Sequence, residues 1–208
     1  PKVAAFAAIL KFFTIMLGSQ SKTWVPLMIA LSIATMIVGA TMALVQKDLK
    51  RLLGFSSIGH VGYLLLAVVA TGYSGHIIGM AAVLFYLAAY AFMNMGAFGV
   101  LVHLANHNAR FNDSLDDLAG LGKRHPWAAG VMTLFMLSLT GVPPAAGFLA
   151  KFYLFSAVVD AGLAWLAVIG ALFSLVSAFF YLRVIVFMYM RDFEQEEEKT
   201  DGKSWDLS

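Results

Sequence analysis

Apolar residues along this chain fall into long runs, separated by short polar or glycine-rich segments. A helix that crosses a membrane needs about 20 mainly apolar residues. The runs at 3–17, 24–44, 52–70, 76–104, 127–159 and 163–190 meet or approach that length. The second of them carries no charge. Between the runs stand Gly18-Ser19-Gln20-Ser21, the basic loop Gln46-Lys47-Asp48-Leu49-Lys50-Arg51, the turn Thr71-Gly72-Tyr73-Ser74-Gly75 and a polar connection at 105–126. The pattern predicts an all-α fold, a polytopic transmembrane bundle over 1–190 with about six helices. A polar, acidic tail or loop follows at 191–208, whose run 194–198 reads as a solvated segment.

The fifth run is interrupted by Gly141-Val142-Pro143-Pro144-Ala145-Ala146-Gly147. It reads either as a hairpin of two helices or as one discontinuous span broken at 141–147. Each half holds only about 15 residues, short of the roughly 17 that a full crossing needs. Loop charge supplies a second criterion, because lysine and arginine collect on the cytoplasmic side. With one broken span, Lys47, Lys50, Arg51, Arg110, Lys123, Arg124, Arg183 and Arg191 share a side. The opposite side then receives 71–75, Asp160 and a stray Lys22. A hairpin would move Arg183 and Arg191 across. One broken span is therefore expected, with the basic loops 45–51 and 105–126 in the cytoplasm. Gly75 with Gly79, and Gly96 with Gly99, suit close helix packing. Trp24, Tyr73, Trp127 and Trp165 fall near span ends, where an aromatic belt sits.

Composition strengthens the membrane reading. The chain is 61 % hydrophobic and 12 % charged, with a mean hydropathy of +0.81. Soluble domains carry about a quarter charged residues. The absence of cysteine excludes disulfides, cysteine-ligated iron–sulfur clusters and thiol nucleophiles. The net charge of +2 says little, since placement matters more than sum. The sequence opens on Pro1 with Lys2 at the mouth of an apolar run, and it reads as the middle of a longer chain. It carries no HExxH, P-loop or GxGxxG signature. His103, His107 and His125 lack ligand spacing, so neither a metal nor a haem is expected, and nothing points to nucleic acid.

A few polar groups lie where they are expensive. Lys151 follows the broken segment and stands about two turns beyond Pro144, with no acid near it in sequence. An ammonium at membrane depth costs roughly 2.5 kcal/mol or more, which favours a functional role. Such a group can be charged or neutral at working pH, as a proton relay requires. His60 lies about 12 Å into the third run at 1.5 Å per residue. Ser56, Ser57 and Tyr63 share its helix face. Histidine passes protons near neutral pH, with an ordinary pKa of about 6.5, though a hydrogen-bonded packing histidine fits the pattern equally. Lys2 reads as an interfacial lysine reaching to water or as a buried group, and Lys11 as an ordinary snorkelling lysine. Asn94 suits packing between helices. Arg183 keeps its charge and suits anchoring.

Four ordered stretches carry a resemblance. They are Pro1-Lys2-Val3-Ala4-Ala5-Phe6, then Gln46-Lys47-Asp48-Leu49-Lys50-Arg51-Leu52-Leu53-Gly54-Phe55-Ser56-Ser57-Ile58-Gly59-His60-Val61-Gly62-Tyr63, then Leu121-Gly122-Lys123-Arg124-His125-Pro126-Trp127, then Gly141 through Phe152. In that order the chain resembles the antiporter-like membrane subunits of respiratory complex I, and most nearly their subunit N branch in bacterial NADH:quinone oxidoreductase. The resemblance implies a subunit of about fourteen helices in two inverted five-helix repeats, of which this chain resembles the eighth to the thirteenth helix. It implies that Lys2, His60 and Lys151 belong to a hydrated chain of protonatable residues at mid-membrane, and that the subunit couples quinone reduction to proton pumping. NADH, FMN, iron–sulfur clusters and quinone are then expected in partner subunits, with no cofactor here. The expected surroundings are other membrane subunits and the bilayer of a bacterial inner membrane. Sister subunits carry a His-Ala-Phe-Phe-Lys-type motif where this chain reads Tyr90-Ala91-Phe92-Met93-Asn94. Water held by Ser56, Tyr90 and Asn94 is expected to serve in its place. The alternatives are a subunit of a multi-subunit cation/proton antiporter or of a membrane-bound hydrogenase, and a non-conducting scaffold.

Overall fold

A computed structural model describes residues 2–74, 77–107 and 113–191. Pro1, Gly75, His76, the segment 108–112 with Arg110, and the acidic tail past Arg191 lie outside them. The described chain is helical, with no strand beyond a single bridge between Asp48 and Ser114. In order it forms α1 (Lys2–Leu10), α2 (Ser21–Leu44), α3 (Leu49–Ser74), α4 (Ile77–His107), α5 (Leu121–Arg124), α6 (Pro126–Thr140), α7 (Ala146–Asp160) and α8 (Ala164–Met190). Four stretches, Gly18–Leu44, Leu49–Tyr73, Gly79–Asn106 and Ala164–Met190, are long and apolar enough to cross a membrane by themselves. In hydrocarbon only a helix satisfies its own backbone polar groups, which is why runs so poor in charge fold this way.

The first run stops being α-helical at Leu10. A wider-turned stretch, Lys11–Met16, follows, and Thr14 donates to the Leu10 carbonyl there. Trp24 turns inward. It is 6 % exposed, donates its indole N–H to the Leu17 carbonyl at 3.0 Å and covers Gly72. Tyr73, Trp127 and Trp165 are exposed near helix ends.

α3 is the central helix. Every residue from Tyr63 to Ala70 is buried, on all faces of the helix. α2 lies along it through small residues, with Gly39 against the Gly59 backbone and Gly62 against Met36. Ser32 donates across the seam to the Gly62 carbonyl at 2.8 Å. α4, α7 and α8 cover the remaining faces of α3.

One end of the bundle is tied. Leu49 N–H donates to the Asp113 carbonyl and Leu115 N–H to that of Lys47, both at 2.8 Å. Lys50 pairs with Asp113 and Arg191 with Asp116. Arg183 donates to the carbonyl of Leu44, the last residue of α2, and to that of Gln46 just beyond it, and its Nε is buried without a partner. The basic residues thus gather at one end. α6 begins there and α8 finishes there, so α6 and α7 together carry the chain across the bundle once.

Candidate functional site

The break between α6 and α7 is built by its own residues. Gly141, at φ +90°, closes α6 with N–H bonds to Leu137 and Ser138, and Val142 N–H returns to Leu137. This left-handed closure suits glycine and satisfies the Leu137 and Ser138 carbonyls. Those of Leu139 and Thr140 are left over. Pro143–Pro144, a cis peptide, carries the chain round to Ala145. α7 then starts in close contact with α6. Gly147 N–H donates to Ser138 Oγ at 3.2 Å, and the Ser138 hydroxyl donates to Met93 Sδ of α4 at 2.7 Å.

Lys151 fills this break. Its Nζ donates to the Leu139 carbonyl at 3.1 Å, the Thr140 carbonyl at 2.8 Å and Ser174 Oγ of α8 at 2.8 Å. An ammonium has three donors, and here each has an acceptor. Two of those acceptors sit at a helix C-terminus, the negative end of the dipole. Lys151 is 6 % exposed. Its Nζ also lies 5.5 Å from the centre of the Tyr63 ring.

His60 is buried in the middle of α3 and bonded on both sides. Nδ1 meets the Tyr86 hydroxyl of α4 at 2.7 Å, and Nε2 meets the Tyr181 hydroxyl of α8 at 3.0 Å. The Tyr181 hydroxyl is bonded in turn to Ser56 Oγ. The Tyr90 ring stacks obliquely on the imidazole at 4.7 Å, and Tyr63 meets its edge at 5.9 Å. Ser174 and Ser177 face the Tyr63 hydroxyl.

Half-buried Lys2 reaches the same cluster from α1. It donates to the Ser57 carbonyl at 3.2 Å and the Tyr90 hydroxyl at 3.4 Å. Lys2 thus meets Tyr90, whose ring lies on His60, and Lys151 lies over the ring of Tyr63, which meets the edge of His60. The structure therefore brings the three sequence-selected groups into one row, with Tyr90 inside it and Ser56 beside it through Tyr181. Asn94, one turn beyond Tyr90 in α4, is half-buried, and its side chain joins none of these contacts. Sequence reasoning missed Tyr86, Tyr181, Ser174 and Ser177. A faint trace of them was present, since Ser174, Ser177 and Tyr181 recur at three- and four-residue spacing along an otherwise apolar helix. Among the described residues no His, Asp, Glu or Cys cluster could hold a metal ion.

Comparison with known proteins places this geometry among relatives. Residues 1–177 match the transmembrane family described as NADH:quinone oxidoreductase/Mrp antiporter. A protein of Roseiflexus castenholzii named NADH-quinone oxidoreductase subunit N 2 is 46 % identical over 194 residues, covering 92 % of this chain and 39 % of that protein. The chain thus spans about two fifths of the length of such relatives. A chain in the respiratory complex I of Thermus thermophilus superposes with a TM-score of 0.67 at 34 % identity, over 80 % of this chain and 36 % of that one. A chain in the Mrp complex of Dietzia sp. DQ12-45-1b superposes with a TM-score of 0.73 at 24 % identity, over 89 % and 33 % respectively, and shares the fold.

Proposed function

This chain belongs to the NADH:quinone oxidoreductase/Mrp antiporter transmembrane family, and from that premise we propose that it is a proton-translocating part of a membrane subunit of NADH:quinone oxidoreductase. The observation that carries the reading is the row from Lys2 through His60 to Lys151, held inside an apolar bundle by hydroxyls and helix-end carbonyls. The redox steps, with NADH, FMN, iron–sulfur clusters and quinone, belong to partner subunits. The chain itself moves protons. Its surroundings are a bacterial inner membrane and neighbouring antiporter-like subunits, with the basic end facing the cytoplasm.

Charge carries the coupling. Quinone reduction elsewhere changes the charge of adjacent membrane subunits, and Lys2, His60 and Lys151 exchange protons in response. Two positive charges in a poorly polarisable interior repel strongly, so occupation of one site empties the next and the sites titrate as a set. Lys151 sits where backbone dipoles stabilise its ammonium without a fixed counter-charge. A carboxylate there would trap the proton, whereas carbonyls and a hydroxyl hold it and release it.

The test is Lys151→Met in the assembled, reconstituted complex, with NADH-driven quinone reduction and proton pumping followed together. Both are expected to fall, by about 100-fold if proton transfer through this residue is obligatory. Full pumping at the normal ratio to quinone reduction would make the lysine structural and end the relay reading. Sodium-dependent transport without quinone reduction would move the chain to the cation/proton antiporter branch.

A further inference from the structure

Both nitrogens of His60 face a hydroxyl, Tyr86 at 2.7 Å and Tyr181 at 3.0 Å, and Tyr181 is bonded onward to Ser56. All four residues are buried. A neutral imidazole carries a proton on one nitrogen and a lone pair on the other, while a hydroxyl both donates and accepts. Two complete arrangements follow. In the first, Tyr86 donates to Nδ1, Nε2–H donates to Tyr181, and Tyr181 donates to Ser56. In the second every donor is reversed, so Ser56 donates to Tyr181, Tyr181 to Nε2, and Nδ1–H to Tyr86. Both tautomers pair both ring nitrogens. An unpaired buried donor costs about 1–3 kcal/mol, and neither arrangement of the ring carries that cost.

We propose that Tyr86, His60, Tyr181 and Ser56 form a one-proton valve, and that Tyr181 with Ser56 is the branch joining the lateral row to the basic end of the bundle. The proposal rests on the relay reading above and adds residues and a direction to it. Ser56 lies one turn nearer than His60 to the start of α3, which begins at that tied end. A proton arriving on the Tyr86 oxygen sends Tyr86's own proton to Nδ1. The imidazolium so formed gives its Nε2 proton to Tyr181, Tyr181 gives its proton to Ser56, and Ser56 releases its own toward the basic end. One proton enters, one leaves, and each hydroxyl again carries one hydrogen. The imidazole finishes in the opposite tautomer, with Nδ1 occupied. A second proton cannot follow from the same side until the ring and hydroxyls reset. A plain row of hydroxyls resets by turning its O–H bonds, whereas here a buried ring, bonded on both nitrogens, must also regain its first tautomer.

The experiment uses the assembled complex with the full-length subunit, reconstituted in vesicles. Ser56→Ala, Tyr181→Phe and Lys151→Met are compared for proton pumping, quinone reduction and the solvent deuterium isotope effect on turnover. Ser56→Ala and Tyr181→Phe are expected to slow coupled pumping by about 10-fold or more. The isotope effect is expected to rise, because the hydroxyl step becomes limiting; a purely structural defect leaves it unchanged. Should Tyr181→Phe fail to assemble, Ser56→Ala decides alone, since it removes one oxygen and keeps the packing. If Ser56→Ala pumps at the normal rate with an unchanged isotope effect while Lys151→Met loses pumping, the row carries protons and the valve is wrong. If Lys151→Met also pumps normally, the relay reading fails and the valve with it.

Discussion

At Gly147 the backbone of α7 runs so close to the Ser138 carbonyl that a methyl group overlaps it. Gly147→Ala must push α7 away from α6, and overpacking of this kind costs about 1–3 kcal/mol. The expected outcome is a lower thermal midpoint of the assembled membrane arm together with reduced turnover, because the shift also moves Lys151. Gly99→Ala is the matched control, since nothing lies within 4 Å of the added carbon, and its midpoint should stay put. Lys2, His60 and Lys151 were legible in the sequence because a charge or an imidazole in an apolar run is costly enough to stand out. Tyr86, Tyr181, Ser174 and Ser177 were not, because tyrosine and serine are ordinary in such helices. Their places come from facing groups on other helices, 23 positions away for Ser174 and Lys151 and 125 for Tyr181 and Ser56.

Between elements, small residues decide which helices lie close. The α2–α3 seam depends on Gly39 meeting the Gly59 backbone, so Gly39→Leu is expected to separate the pair and prevent stable assembly, read as loss of the subunit from the purified complex. The run lengths made α2, α3, α4 and α8 readable in advance. The first run misled at its far half, where Lys11–Met16 leaves the α-helix. Nothing in the apolar pattern marks that change, since a wider turn exposes the same kinds of side chain. Gly141 and the proline pair marked the α6–α7 break plainly. What the pattern left out was its use, two spare carbonyls of α6 aimed at a lysine of α7.

For the whole molecule, the basic end is held by bonds of unequal worth. The Lys50–Asp113 pair, with 60 % of the lysine side chain exposed, contributes about 0.2–1 kcal/mol at most. Arg183, half-buried on the carbonyls of Leu44 and Gln46, has hydrogen bonds of the charged kind, worth about 1.5–3 kcal/mol. Arg183→Met should therefore lower the thermal midpoint clearly and Lys50→Ala barely, with only the latter difference vanishing at high salt. The placement of the row has an electrical consequence. His60 lies about 16 Å along α3 from the basic end, and the carbonyls holding Lys151 lie about 20 Å along α6 from that same end. A proton passed between them by the proposed relay would travel nearly parallel to the plane of a membrane spanned by these helices. Carrying one charge through the full thickness is worth about 2.3 kcal/mol per 100 mV, and sideways travel draws almost none of it. On the proposed relay, membrane voltage leaves the row itself electrically silent and acts where protons climb into it or drop out of it.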